Sequence, residues 1–255
     1  MKVLFLGTGE AFDESRNNTS ILINEKLLLE CGYSVPQILW KTGLDKKIKY
    51  IFVSHFHADH VGGIPMLLMR LRQEKRNESL TLIGGKGFRK RFLKFFDMCY
   101  KGFFGDLPFK VKFLEVSAGD RKRISEYTLS FEKGYHLRKP FSIENLAIRV
   151  SRKGKVLVYS GDTSYTERLI NFSRNCTLLI HEAYLPHNFE YHRKYLAHCS
   201  PFEAGKIAKE AKAKALALVH IHRRFVKEKE RILEEVREVY KGKVLIPEDG
   251  DEVKL

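Results

Sequence analysis

No apolar run in this chain approaches the roughly twenty residues of a membrane span. The segment Met1-Lys-Val-Leu-Phe-Leu-Gly-Thr-Gly9 holds too short an apolar stretch for a signal peptide, and Gly7 and Gly9 interrupt it. It reads as a first strand running into a turn, and the expected location is the cytoplasm. The four cysteines, Cys31, Cys99, Cys176 and Cys199, never stand in C-x-x-C spacing, which excludes a cysteine zinc knuckle or a thioredoxin-like pair. Reduced, mostly buried thiols are expected. Low-complexity segments, repeats and Ser/Pro-rich linkers are also missing, so neither a solenoid nor a tethered pair of modules is indicated.

What is present is a globular composition. The 255 residues are 44% hydrophobic and 30% charged, enough for one large domain or two small ones with a sizeable core. A net charge of +15 attracts polyanions, nucleic acid above all. Scarce glutamine beside abundant Lys, Arg and Glu fits equally well with the charge-rich surface of a thermophile protein.

The densest information lies in Val53-Ser-His-Phe-His-Ala-Asp-His-Val-Gly-Gly63, which places His55, His57, Asp59 and His60 within six residues. An apolar run, Ile48 to Val53, precedes it as a buried strand, and a helix is expected from about 61 to 75. Nitrogen and oxygen donors crowded at a strand end suit a divalent metal. In extended chain His55 and His57 point the same way because side chains alternate. Asp59 and His60 follow the turn and can face a second ion.

Further candidate ligands close other apolar strands. His136 follows the strand pattern around Leu129–Phe131, Asp162 ends Val156-Leu-Val-Tyr-Ser-Gly-Asp162 and can bridge two ions, and His220 ends Ala215-Leu-Ala-Leu-Val-His220. Competing readings are a structural His136, Asp162 as N-cap of a helix at 164–173, and His222 in place of His220. The remaining pattern is mostly β with inserted helices in the first half and alternating strand and helix in the second. Helices are expected at 34–42, 86–101, 201–212 and 226–240. Two face-to-face sheets with helices outside would satisfy both halves.

These segments resemble the metallo-β-lactamase superfamily, and within it the ribonuclease Z-like branch. The resemblance runs nearly end to end: Phe5-Leu-Gly-Thr-Gly9, Arg16-Asn-Asn-Thr-Ser20, Leu29-Glu-Cys-Gly32, the histidine motif, Tyr159-Ser-Gly-Asp-Thr163, His181-Glu-Ala183, His198-Cys-Ser200, Val219-His-Ile-His-Arg-Arg-Phe225 and Pro247-Glu-Asp-Gly250. It implies an α/β fold of αββα type, with two mixed β-sheets flanked by helices, as a single domain over 1–255. It further implies one metal on His55, His57 and His136, another on Asp59, His60 and His220, and Asp162 bridging. Zinc suits this ligand set, with manganese or iron as substitutes.

By the same resemblance the reaction is hydrolysis of a phosphodiester, RNA or a small or cyclic one. Two ions lower the pKa of a shared water so that hydroxide is available near neutral pH. Asp59 orients or deprotonates the water, and Glu182 with His198 delivers a proton to the leaving oxygen, the glutamate raising the imidazole's basicity. The chain departs from the branch at Tyr184, where a threonine is usual, and at Cys199, where a small hydroxyl is usual. His181, His187 and His192 receive no role.

Ribonucleases Z carry a long tRNA-gripping arm, commonly between the third metal histidine and the bridging aspartate. His136 and Asp162 are only 26 residues apart, which leaves no room for an arm. A basic helix at 86–101, with Lys86, Arg89, Lys90, Arg91, Lys94 and Lys101 among phenylalanines, offers either a phosphate track or an ordinary solvated face. Arg224 is placed to hold a substrate phosphate. The alternatives are a carboxylic ester or lactone hydrolase of the same fold and a non-catalytic nucleic-acid-binding metalloprotein. The expected partner is a phosphodiester substrate, RNA among the candidates, and no membrane; a homodimer is left open.

Overall fold

The structure is a computed structural model, described for residues 1–136, 143–189 and 197–255; His192 lies outside the described residues. The chain opens with β1 (Lys2–Gly7), β2 (Ser20–Ile23) and β3 (Leu27–Leu29), then α1 (Val35–Thr42) and β4 (Tyr50–Phe52). Next come α2 (Ala58–Val61), α3 (Ile64–Gln73), β5 (Leu80–Gly85), α4 (Phe88–Cys99) and β6 (Val111–Val116). The meander β7 (Arg121–Ile124), β8 (Tyr127–His136), β9 (Ile143–Arg152) and β10 (Lys155–Tyr159) leads into α5 (Glu167–Phe172) and β11 (Leu178–Glu182). The last elements are α6 (Pro201–Glu210), β12 (Ala215–Val219), α7 (Lys229–Val239), β13 (Lys243–Leu245) and β14 (Glu252–Lys254).

Two seven-stranded sheets form, in the orders β14-β1-β2-β3-β4-β5-β6 and β13-β12-β11-β10-β9-β8-β7. Each is mixed: β3 to β6 and β10 to β13 run parallel, and the remaining pairs are antiparallel. Strand periodicity builds the layers. Val3 and Phe5 face the core between the sheets, where they meet Phe131, Leu146, Ile148 and Tyr159. Leu4 and Leu6 point to the outer face. There α1, α3 and α4 cover one sheet, while α6 and α7 cover the other. Both faces of each sheet are therefore apolar, as buried parallel strands require. The expected αββα architecture is found.

Helix α4 shows the cause at residue level. Phe88, Phe92 and Phe96, spaced by four, are buried on one face, and Arg89, Lys90, Arg91 and Lys94 are exposed on the other. Burial of each phenylalanine contributes about 1.5–3 kcal/mol. No helix among the described residues is long and apolar enough to cross a membrane.

Two expectations need correction. The helix expected over about 61–75 starts only at Ile64 as α3, and the separate turn α2 precedes it across Gly62–Gly63. There the chain crosses Gly32 so closely that a Cβ on Gly63 would lie 2.2 Å from the Gly32 carbonyl oxygen. The helix expected at 164–173 begins only after Thr166, whose Oγ1 accepts from Leu169 N at 3.3 Å. Asp162 is therefore not its cap.

Candidate metal centre

The parallel strands deliver side chains to one end of the sandwich, beyond their carboxyl ends, where α/β folds bind ligands. β4 leads into His55 and His57, β10 into Asp162, and β12 into His220, while His136 and Glu182 are the last residues of β8 and β11. The short helix α2 carries Asp59 and His60 in one turn. Two residues there hold left-handed backbone, Glu30 (φ 65°) and His220 (φ 56°). Such conformations are uncommon outside glycine and mark constrained sites.

Among the described residues four overlapping groups of donors result, two of which, His136–Asp162–His198 and Glu182–His198–His220, bring in His198; the other two match the expected ligand sets. His55, His57 and His136 form one, and Asp59, His60, Asp162 and His220 the other, with the ligand atoms of each group within 4.8 Å of one another. His55 Nε2 lies 2.9 Å from His57 Nδ1. Asp162 Oδ2 stands 4.0 Å from His55 Nε2, 3.4 Å from His60 Nε2 and 3.4 Å from His220 Nε2, so it touches both groups. Asp59 Oδ2 is 3.2 Å from His60 Nε2 and 3.5 Å from His220 Nε2. Among the described residues His222 joins none of these groups.

The donors fit divalent metal. His60 Nε2 and Asp162 Oδ1 are buried without a hydrogen-bond partner, an arrangement that costs free energy in a protein interior. Imidazole and carboxylate oxygen are the donors such ions take. The charge state agrees. Burial drives His55 and His57 below the usual histidine value, and His136 down to about 3, leaving neutral imidazoles. Burial also opposes charge on His60, but Asp59, Asp162 and Glu30 outweigh it and hold that ring protonated. His220 is likewise raised against burial, to about 9, chiefly by Asp162. A cation in the second group would take over the role of those two protons.

Residues without an assigned role in the sequence complete the centre. Glu30, fully buried, accepts from Ser54 N at 3.2 Å and faces His60 Nδ1 at 3.5 Å. Its signal was a carboxylate ending the apolar run Leu27–Leu29. Asp249, of the C-terminal Pro-Glu-Asp-Gly motif, accepts from Thr8 N at 2.9 Å and from Asn17 N at 2.6 Å. It thereby fastens both ends of the loop that borders the centre.

Glu182 and His198 meet as expected: His198 Nδ1 lies 2.8 and 2.9 Å from the two carboxyl oxygens of Glu182. Thr163 N donates to Glu182 Oε1 at 2.5 Å. Burial lowers His198 to about 4, and burial together with Asp162 raises Glu182 well above the ordinary carboxylate value. Tyr184 stacks on His198 with centroids 4.4 Å apart. A cleft of about 380 Å³ opens over the centre, lined by His57, Asp59, His136, Asp162, His198 and His220 together with Glu10, Phe12, Tyr33 and Tyr184. His181 is turned away, with Nδ1 bonded to its neighbour's carbonyl at 2.7 Å, and His187 Nδ1 pairs with Ser200 Oγ at 3.0 Å.

Fold and centre together define a protein of the metallo-β-lactamase fold. The chain belongs to the family described as anti-Pycsar protein Apyc1, whose profile matches residues 1–200. It is 28% identical to the ribonuclease Z of Haloarcula marismortui, covering 100% of this chain and 97% of that protein. The metallo-β-lactamase fold protein YhfI of Bacillus subtilis superposes with a TM-score of 0.82 at 26% identity, over 99% of this chain and 98% of that one. Human tRNase Z, short form, gives 0.79 at 22% identity, over 100% and 99%. The similarity to ribonuclease Z expected from short motifs thus extends along the whole chain.

Proposed function

We propose that this chain is a dinuclear metal-dependent phosphodiesterase. The observation that carries the reading is the pair of donor groups sharing Asp162, with Glu182–His198 on the wall of the same cleft. His55, His57 and His136 would hold one ion, Asp59, His60 and His220 the other, and Asp162 both; zinc suits the set, with manganese or iron as substitutes. Bound divalent ions lower the pKa of water and neutralise charge on phosphoryl oxygens.

The chain's own residues supply the proton steps. Asp59, whose carboxyl is held ionised in the metal-free centre by His60 and His220 despite its burial, would stay ionised beside a cation there, and it orients the attacking water and accepts its proton. The new P–O bond forms to that water as the bond to the leaving oxygen breaks. Burial favours a neutral Glu182 carboxyl facing Nδ1, which leaves His198 with its proton on Nε2. As Nε2–H passes to the leaving oxygen, the carboxyl proton passes to Nδ1, leaving a neutral imidazole beside the Glu182 carboxylate.

Relatives named ribonuclease Z support RNA as substrate. The spacing between His136 and Asp162 favours a second reading, a small or cyclic phosphodiester. β9 and β10 occupy most of that interval, and we read the chain as one domain without an RNA-gripping arm. We place it in the cytoplasm.

The test compares bis(p-nitrophenyl) phosphate with p-nitrophenyl acetate on metal-loaded protein, with Asp59→Ala alongside. Diester turnover that needs Asp59 supports the reading; turnover of the acetate alone overturns it in favour of an ester hydrolase. A salt-sensitive KM then marks RNA, and a salt-insensitive one a small diester.

A further inference from the structure

The mouth of the cleft carries two aromatic side chains that the fold does not pack. Phe12 is 71% exposed and Tyr33 53% exposed, and both line the same cleft as Asp59 and His220. Their backbone is nonetheless tightly fastened. Phe12 N donates to Glu10 Oε2 at 2.8 Å, and Arg223 Nη1 donates to Phe12 O at 3.3 Å. The Tyr33 hydroxyl donates to Ala11 O at 3.0 Å. Asp13 accepts from Ser15 N and Arg16 N at 2.8 and 3.0 Å, and Arg16 reaches across to the Ile221 carbonyl. A loop held at so many points has no need to leave a phenyl ring in water for its own stability. Exposed apolar surface beside a ligand cleft is a mark of binding.

We propose that Phe12 and Tyr33 form a preorganised stacking platform for a nucleobase attached to the scissile phosphodiester. This rests on the phosphodiesterase reading above. The Tyr33 ring is held through its hydroxyl and the Phe12 backbone at both its N–H and its carbonyl, so stacking a base orders little beyond the Phe12 side chain. Every base offers a π-face, so the platform favours base-bearing diesters over baseless ones without selecting strongly among bases. The base comes either from a cyclic mononucleotide or from the end of an RNA strand.

Two substrates isolate the base: thymidine 5′-(p-nitrophenyl phosphate) and ethyl p-nitrophenyl phosphate, which share leaving group and reaction. In Phe12→Ala the ratio of their kcat/KM values falls about tenfold, the effect of losing one stacked base. Phe12→Trp restores it. A ratio that stays within about twofold of wild type in both Phe12→Ala and Tyr33→Ala overturns the platform, since one stack is worth more than that.

Calorimetric binding of adenosine 5′-monophosphate against ribose 5-phosphate decides the matter independently of turnover. Phe12→Ala must weaken the nucleotide more than the sugar phosphate; equal weakening overturns the platform. Persistence of that preference with no diester hydrolysis by wild type would sink the phosphodiesterase reading and leave the platform standing. Competition by a cyclic mononucleotide and by a short oligoribonucleotide identifies the source. Weaker inhibition of Phe12→Ala by both assigns either base to the platform, by the oligomer alone an RNA end, by neither overturns it.

Discussion

In a Glu30→Gln protein the interior loses a charge, and the candidate centre loses the acceptor facing His60 Nδ1 at 3.5 Å. Burial already raises Glu30 above the usual carboxylate value, so the metal-free fold gives up little when that charge is removed. The amide oxygen can still accept from Ser54 N, which sits 3.2 Å from both carboxyl oxygens. Orientation of His60 is what suffers. Loss of a group that orients a metal ligand weakens metal affinity about 10–100-fold, or about 1.4–2.7 kcal/mol. Because a ligand stabilises only the state that binds it, the rise in Tm on adding zinc should shrink by about 3–11 °C for a chain of this size. Scanning calorimetry with and without zinc, alongside a chelator competition, measures both quantities. An equal loss of Tm in the two states, with zinc affinity unchanged, would make Glu30 a purely structural residue and refute the reasoning.

Three further outcomes are expected. His198→Ala should slow diesters with poor leaving groups about 100-fold or more while barely affecting p-nitrophenyl esters, since general acid catalysis matters most where the leaving oxygen is basic; equal loss on both series would remove the proton-donor role. Gly32→Ala should destabilise by about 1–3 kcal/mol or prevent folding, because its Cβ would stand 2.1 Å from the Asp59 carbonyl oxygen; wild-type denaturant stability would contradict that packing. Burial opposes the charge of Asp13, but hydrogen bonds from Ser15 and Arg16 prevail and lower its pKa. The stability it contributes is therefore full above about pH 4, the unfolded aspartate value, and lost as pH falls through the folded one. Urea midpoints of wild type and Asp13→Asn should differ at pH 7 and converge in acid; a gap that persists at the lowest pH would refute the charge argument.

Ligand-type residues could be read from the sequence because each follows or closes an apolar run: the end of the strand brings His57, Asp162 and His220 to the cleft and His55 to its floor beside His57. The layering was legible for the same reason, since runs such as Leu27–Leu29 are apolar on both faces. What escaped depends on contacts remote in sequence. The break at Gly62–Gly63 follows from a close crossing with Gly32, which local periodicity does not encode. Glu30 looked like one more carboxylate until Ser54 and His60 closed around it. Asp249 pins residues more than 230 positions away, and Phe12 lies in a polar loop whose relation to Tyr33 exists only after folding.

The most direct test of the account strips the protein with a chelator and titrates zinc back while following bis(p-nitrophenyl) phosphate hydrolysis. A dinuclear centre gives no turnover in the stripped protein and activity that saturates at about two equivalents, one for each donor group. Full turnover without metal, or saturation at one equivalent, would contradict a dinuclear centre.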